Sequence, residues 1–213
     1  MNIQVLKGSL LGDMWIQPKE NKNKTYSYSL NFEQSEFEYA LWKAKMCGVP
    51  FSFTKRKRYD KRTKKNYFSY GVHLTINKMV KRGLYNLFYQ PIKIVTNELL
   101  NSLTPLSIAI WYMDDGNMYY NGNNCHLTLS VNGFDFESKE RIINYFKINY
   151  NINFKHASKA IRITSRKDVE KFMTIVEKFI PKCMKRKIFK NQFQKYNKLL
   201  TDGQRKYRNN KYK

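Results

Sequence analysis

Acidic residues are scarce in this chain of 213 residues: 16 Asp and Glu stand against 40 Lys and Arg, a formal net charge of +24. That excess is too large for an ordinary small-molecule enzyme and points to a polyanion: DNA, RNA or an anionic membrane surface. Long apolar runs are lacking as well. No stretch approaches the roughly 20 apolar residues of a spanning helix, which argues against the membrane. Cysteine is sparse and odd in number. Cys47, Cys125 and Cys183 lie far apart without C-x-x-C spacing, which excludes a disulfide framework and a structural zinc site. His73, His126 and His156 form no ligand cluster. No secretory or transit segment precedes the first motif. Basic charge alone would suit a ribosomal protein equally well, so it selects a partner and not an activity.

Two apolar runs end in a carboxylate. Leu6-Lys7-Gly8-Ser9-Leu10-Leu11-Gly12-Asp13 and Ile108-Ala109-Ile110-Trp111-Tyr112-Met113-Asp114-Asp115-Gly116 stand about half the chain apart. A carboxylate closing an apolar helix is costly unless it is paired or bound to a metal. Two such helices suggest two acids brought to one place. Gly8 and Gly12 lie four apart on one helix face, so another helix could approach closely there.

Each half repeats one plan: helix, two strands, helix, two strands, helix. Tyr26, Tyr28, Leu30 and Phe32 alternate with polar residues, as do Phe68, Tyr70, Val72, Leu74 and Ile76, the period of strands with one buried face. A helix is predicted over Glu36 to Met46, stopped by Gly48-Val49-Pro50. In the second half Leu127, Leu129 and Val131 alternate, a helix runs from about Phe136 to Tyr150, and a short basic strand lies around Phe154. Ile161 and Ile163 alternate next, and Val169 to Ile180 closes with a helix. The fold class is α+β, with two pseudo-symmetric αββαββα repeats over 1–100 and 101–200 and a basic tail over 201–213. The boundary falls near 97–104, where Asn, Ser, Thr and Pro collect.

Each predicted sheet has a helix-covered apolar face and an open polar one. The open face carries Gln17, Ser27, Ser29, Asn31, Ser69, His73 and Thr75 in the first half. In the second it carries Asn117, His126, Thr128, Ser130, Lys155, Arg162 and Thr164. These side chains have the donors and acceptors that read base edges in a major groove. One segment joins two strands with eight cations in eleven residues: Lys55, Arg56, Lys57, Arg58, Lys61, Arg62, Lys64 and Lys65. Its self-repulsion calls for phosphates. Gln204 to Lys213 reads as a disordered basic arm.

The two motifs resemble those of the LAGLIDADG homing endonucleases. Leu6 to Met14 and Ile108 to Gly116 align with that nine-letter pattern without gaps and put Asp13 and Asp115 at its acidic position. Leu103-Thr104-Pro105-Leu106-Ser107, leading into the second motif, and Ile180-Pro181 with Met184 extend the likeness to the single-chain, two-motif type of fungal mitochondrial introns. The resemblance implies a saddle of antiparallel sheets with helices on one side, and two motif helices packed along a pseudo-twofold axis. The second helix departs from the pattern: Ile110 and Asp114 occupy positions that are often small, which argues against tight symmetric packing. Asp114 is thereby a rival to Asp115 as ligand, with the alignment and Gly116 favouring Asp115.

By the same resemblance, Asp13 and Asp115 hold Mg²⁺ (with Mn²⁺ able to substitute), helped by backbone carbonyls near Gly12 and Asp114. Lys93 is the basic residue for the first half. For the second the match falls among Lys185, Arg186 and Lys187, and Lys187 is taken. Gln17 and Asn117, soon after the two acids, can help position water. The implied activity is site-specific double-strand DNA cleavage at a long target, leaving short 3′ overhangs, by a monomer. An RNA maturase acting on its own intron RNA and a non-catalytic DNA-binding relative are the alternatives. Heavy use of Asn, Lys, Tyr, Ile and Phe, as AT-rich codons produce, points to an organellar gene, mitochondrial or alternatively of the chloroplast.

Overall fold

The computed structural model describes residues 1–20, 26–89, 92–120 and 125–188. The first half runs α1 (Ile3–Leu11), β1 (Met14–Glu20), β2 (Tyr26–Gln34), α2 (Phe37–Met46), β3 (Phe51–Asp60), β4 (Lys65–Leu74) and α3 (Lys78–Phe88). A short helix α4 (Asn97–Asn101) leads to the second half. There α5 (Pro105–Asp115), β5 (Gly116–Tyr120), β6 (Cys125–Ser130), α6 (Phe136–Tyr150), β7 (Lys155–Ala157), β8 (Ala160–Ile163) and α7 (Arg166–Val176) follow in the same order. The sheets are ordered β1-β2-β4-β3 and β5-β6-β8-β7, antiparallel throughout. The predicted α+β architecture and its repeated plan are borne out.

Alternation sorts the strands as expected. Leu30, Phe32, Val72 and Leu74 are buried in the first sheet, and Leu127, Leu129, Ile161 and Ile163 in the second. Each such side chain contributes about 1.5–3 kcal/mol on burial. Some boundaries differ from expectation. The closing helix starts earlier, at Arg166, and gives way to a 3-10 turn over Glu177–Phe179, a tighter winding common at helix ends. Phe154 precedes β7 and is buried among Phe146 and Phe172. The polar stretch at 97–104 includes α4, because the Thr96 side chain accepts from the Leu99 backbone N–H and caps it. The basic tail expected over 201–213 lies outside the described residues.

The two motif helices pack together at very short range. A Cβ on Gly8 would stand 2.3 Å from the Ser107 carbonyl oxygen and 2.9 Å from Ile110 Cβ, and one on Gly12 would stand 2.5 Å from Asp114 Cβ. The contact is therefore tight and unsymmetrical: α1 supplies the gaps, and Ile110 and Asp114 of α5 fill them. Gln4 stitches the helix starts. Its Oε1 accepts from Ser107 Oγ and from the Thr104 N–H, and its Nε2 donates to the Ser102 carbonyl.

The basic segment is a ribbon rather than a loop. β3 and β4 stay paired as far as Asp60 and Lys65, whereas β2 follows β4 only to Tyr70. Asp60 holds the turn by accepting from the backbone N–H groups of Arg62 and Thr63, and Lys64 takes the left-handed conformation that closes it.

Candidate active site

Asp13 follows α1 and Asp115 ends α5, so the close crossing of these helices brings the two acids to one end of the helix pair. Asp115 feels both other carboxylates. Burial first, then Asp13 and Asp114, push its carboxyl up to about 7, while Lys93 and Lys187 pull it down. Burial lowers Lys93 to about 8 against the pull of Asp115 first, then Asp13 and Asp114. Its Nζ lies 5.3 Å from the centre of the Phe134 ring, a second-half residue. Lys93 thus feels the acids of both halves, Asp115 and Asp13.

Of the C-terminal cluster, Lys187 lies beside the second acid's strand. Its Nζ donates to the Gly116 carbonyl, and its own carbonyl accepts from Tyr112 Oη at 2.7 Å. Burial, then Arg186, lower its pKa against Asp114, Asp13 and Asp115. Arg186 instead pairs with Glu36. A cleft of about 300 Å³ opens beside Asp13, with Gln34, Asp114, Arg186 and Lys187 in its walls.

Asp114 is excluded as a side-chain ligand by its partners. Its carboxylate is inaccessible to solvent and 2.9 Å from an equally inaccessible Lys43 Nζ. Tyr39 Oη donates to Oδ1 at 2.7 Å, Gln34 Nε2 donates to Oδ1 at 3.2 Å, and the Asp13 N–H donates to Oδ2 at 3.3 Å. Burial raises its pKa, with Lys43 the largest opposing influence. Only its backbone carbonyl, like that of Gly12, is left as a candidate donor to a metal. Gln34 Nε2 also donates to Asp13 Oδ2 at 2.8 Å. Sequence reasoning missed Gln34, Tyr39 and Lys43. A signal existed for one of them: Lys43 sits among Tyr39, Ala40 and Ala44 on the buried face of α2, where a lysine needs a partner.

Among the described residues no group of three or more His, Cys, Asp or Glu is arranged to hold a metal ion. The donors that do converge fit a hard cation that keeps waters and takes one or two carboxylates plus substrate phosphate. Burial first, and the neighbouring Asp13 and Asp114 second, make the ionised form of Asp115 costly in the absence of a cation.

The open faces order the sequence-predicted contact residues into rows. Trp15, Asn31, His73 and Ser52 lie in register across the first sheet, and Asn117, Thr128, Arg162 and Lys155 across the second. His73 Nδ1 is 2.9 Å from Asn31 Oδ1, and Asn31 Nδ2 donates to Ser29 Oγ at 3.2 Å. His126 stacks on Tyr119, Ser130 faces Ala160, Thr75 follows β4, and Thr164 follows β8. Ser27 lies in β2, opposite Lys19.

The registers also match positions between the halves. Asn117 is two residues past Asp115 and Gln17 four past Asp13, so the positional counterpart of Asn117 is the half-exposed Trp15. The ribbon also divides its cations. Arg56 lies opposite Ser69 on the open face, where Glu33 pairs with both Arg56 and Arg58 at 3.1 Å. Lys55 and Lys57 alternate to the other side, where Lys55 Nζ lies 4.3 Å from the centre of the Phe68 ring. Lys61, Arg62 and Lys64 are exposed on the turn, and Lys65 opens β4. Glu33, an acid on a basic face, went unnoticed in the sequence.

Comparison with known proteins agrees with this geometry. The chain is 28% identical over 201 residues to a probable intron-encoded endonuclease 1 from Wickerhamomyces canadensis, covering 88% of this chain and 84% of the relative. It is 27% identical over 158 residues to a cytochrome b mRNA maturase bI2 from Debaryomyces hansenii, covering 70% of this chain and 57% of the relative. Among solved structures, the homing endonuclease I-WcaI bound to its DNA recognition sequence superimposes with a TM-score of 0.73 at 27% identity, covering 87% of this chain and 84% of that one. The family model for the LAGLIDADG DNA endonuclease family matches residues 3–167, so the chain belongs to that family.

Proposed function

We propose that this chain is a site-specific endonuclease that hydrolyses both strands of double-stranded DNA at a long target. The observation that carries the proposal is the joining of two acids, Asp13 and Asp115, by a close helix crossing beside two desolvated lysines, Lys93 and Lys187. Asp13 and Asp115, with the carbonyls of Gly12 and Asp114, would hold Mg²⁺ or Mn²⁺. Such an ion supplies charge neutralisation at phosphate and a more acidic bound water. Lys93 and Lys187 offer N–H donors to charge developing on the phosphate oxygens, in a partly dry setting where such bonds are strong. The rows centred on Asn31 and His73 and on Thr128 and Arg162 read base edges, while Arg56, Arg58, Arg62 and Lys65 supply phosphate contacts. Trp15 and Gln17 follow the first acid on that face.

The likeness to single-chain relatives supports a monomer, short 3′ overhangs and a role in intron homing. The codon-biased composition and the intron-encoded relative support an organellar, mitochondrial origin, with the chloroplast as the alternative. The test is to incubate the purified protein with Mg²⁺ and a plasmid library of intronless organellar gene sequences, then sequence the broken ends. Recurrent breaks at one long site, absent with Asp115→Asn, are expected. Scattered ends or intact plasmid would defeat the proposal.

A second reading is favoured by the maturase relative: the protein assists splicing of its own intron RNA. Splicing of that intron in vitro with and without protein checks it. Faster splicing that survives Asp13→Asn would add this function beside cleavage.

A further inference from the structure

Asp13 and Asp115 are the same amino acid at matching positions, yet they are held differently. Gln34 Nε2 fixes Asp13 Oδ2 at 2.8 Å and ties it to Asp114 Oδ1 at 3.2 Å. Asp114 also accepts the backbone N–H of Asp13. Behind it, Lys43 Nζ contacts both oxygens of Asp114 at 2.9 Å, and Tyr39 Oη donates at 2.7 Å. Among the described residues the second half offers no matching cage. Met14 pairs with Phe32 and Gly116 with Leu129, so the position matching Gln34 is Val131, which is buried and apolar.

Packing alone does not call for these residues. An apolar pair of similar volume would join α2 to α5 as well as a buried ion pair, and often better. What the ion pair adds is a carboxylate fixed in place, with lone pairs aimed at Gln34 and at the Asp13 backbone. Reacting groups lose rate steeply when displaced by about 1 Å, so such fixing matters most at a catalytic acid.

We propose that Gln34, Lys43 and Tyr39, acting through Asp114, are positioning residues for Asp13 alone, so that the two strands are cut at unequal centres and in a fixed order. The proposal rests on the endonuclease reading above. The centre that depends on the caged acid is the preorganised one, and loosening the cage slows one strand selectively.

The test uses a supercoiled plasmid carrying the target recovered from the library, with both nick positions mapped by strand-specific end labelling. Gln34→Ala removes the link without stranding a buried charge. The double variant Lys43→Met/Asp114→Asn removes the ion pair as a unit. In Gln34→Ala one strand should be cut at least tenfold more slowly, the other should change less than threefold, and open circles nicked in a single strand should accumulate at unchanged thermal stability. The double variant should slow the same strand. Equal slowing of both strands, or no slowing in Gln34→Ala, overturns the positioning role. Gln34→Ala decides by itself if the double variant does not fold. A wild-type chain that leaves the plasmid uncut in Mg²⁺ and in Mn²⁺ removes the endonuclease reading and this proposal together, whereas wild-type cutting with symmetric slowing removes this proposal alone.

Discussion

The two halves share one order of elements but carry different loads. The first half extends β3 and β4 to ten residues each, arms β3 with arginines and holds its acid in a network of Gln34, Asp114, Lys43 and Tyr39. The second half pairs strands of three and four residues, and its acid is governed by burial first and by surrounding charge second. Repetition of a fold therefore preserves where the acids sit without preserving how they are held. The shared part is dictated by the helix crossing, the unshared part by side chains reaching in from elsewhere.

The largest effects that test this contrast come from the acids. Asp13→Asn and Asp115→Asn should each lower cleavage by about 10³-fold or more, with binding changed only a few-fold, as plasmid cleavage and gel-shift titration would measure. A variant that still cut well would break the equivalence of the two acids. Next comes the buried pair. Lys43→Met leaves Asp114 uncompensated and should cost about 3–5 kcal/mol in urea unfolding, while Lys43→Met with Asp114→Asn should cost much less than the two single changes added.

The helix contact ranks below it. Gly8→Ala must displace the Ser107 carbonyl and Ile110, an overpacking that should cost about 1–3 kcal/mol by the same measurement. The smallest effects belong to the open faces. Arg58→Ala in the first half and Arg162→Ala in the second should each reduce the slope of log affinity against log salt by about 1 if they meet phosphate. A variant with an unchanged slope but relaxed sequence preference would identify a base-reading arginine instead.

Much of the fold was legible because its signals are local. Strand faces followed from alternation at Leu30 and Phe32 or at Ile161 and Ile163, and Phe136–Tyr150 formed as its spacing predicted. Asp13 and Asp115 were legible because an acid closing an apolar helix is conspicuous in one dimension. The cage was not legible, since Gln34, Lys43 and Asp114 meet only across the domain. Nothing next to Asp114 in the chain announces its partner.

Gly12 and Asp114 precede the two acids and occupy matching places, and one fits the other as a plug fits a socket. Two copies of the second half brought together about the same axis would press plug against plug, two desolvated carboxylates in one space. Two copies of the first half would set socket against socket and leave a void with no acceptor for Gln34. The second half therefore rejects its own kind and accepts the first. Any exchange of half-units that keeps this aspartate must therefore set it against a residue as small as glycine.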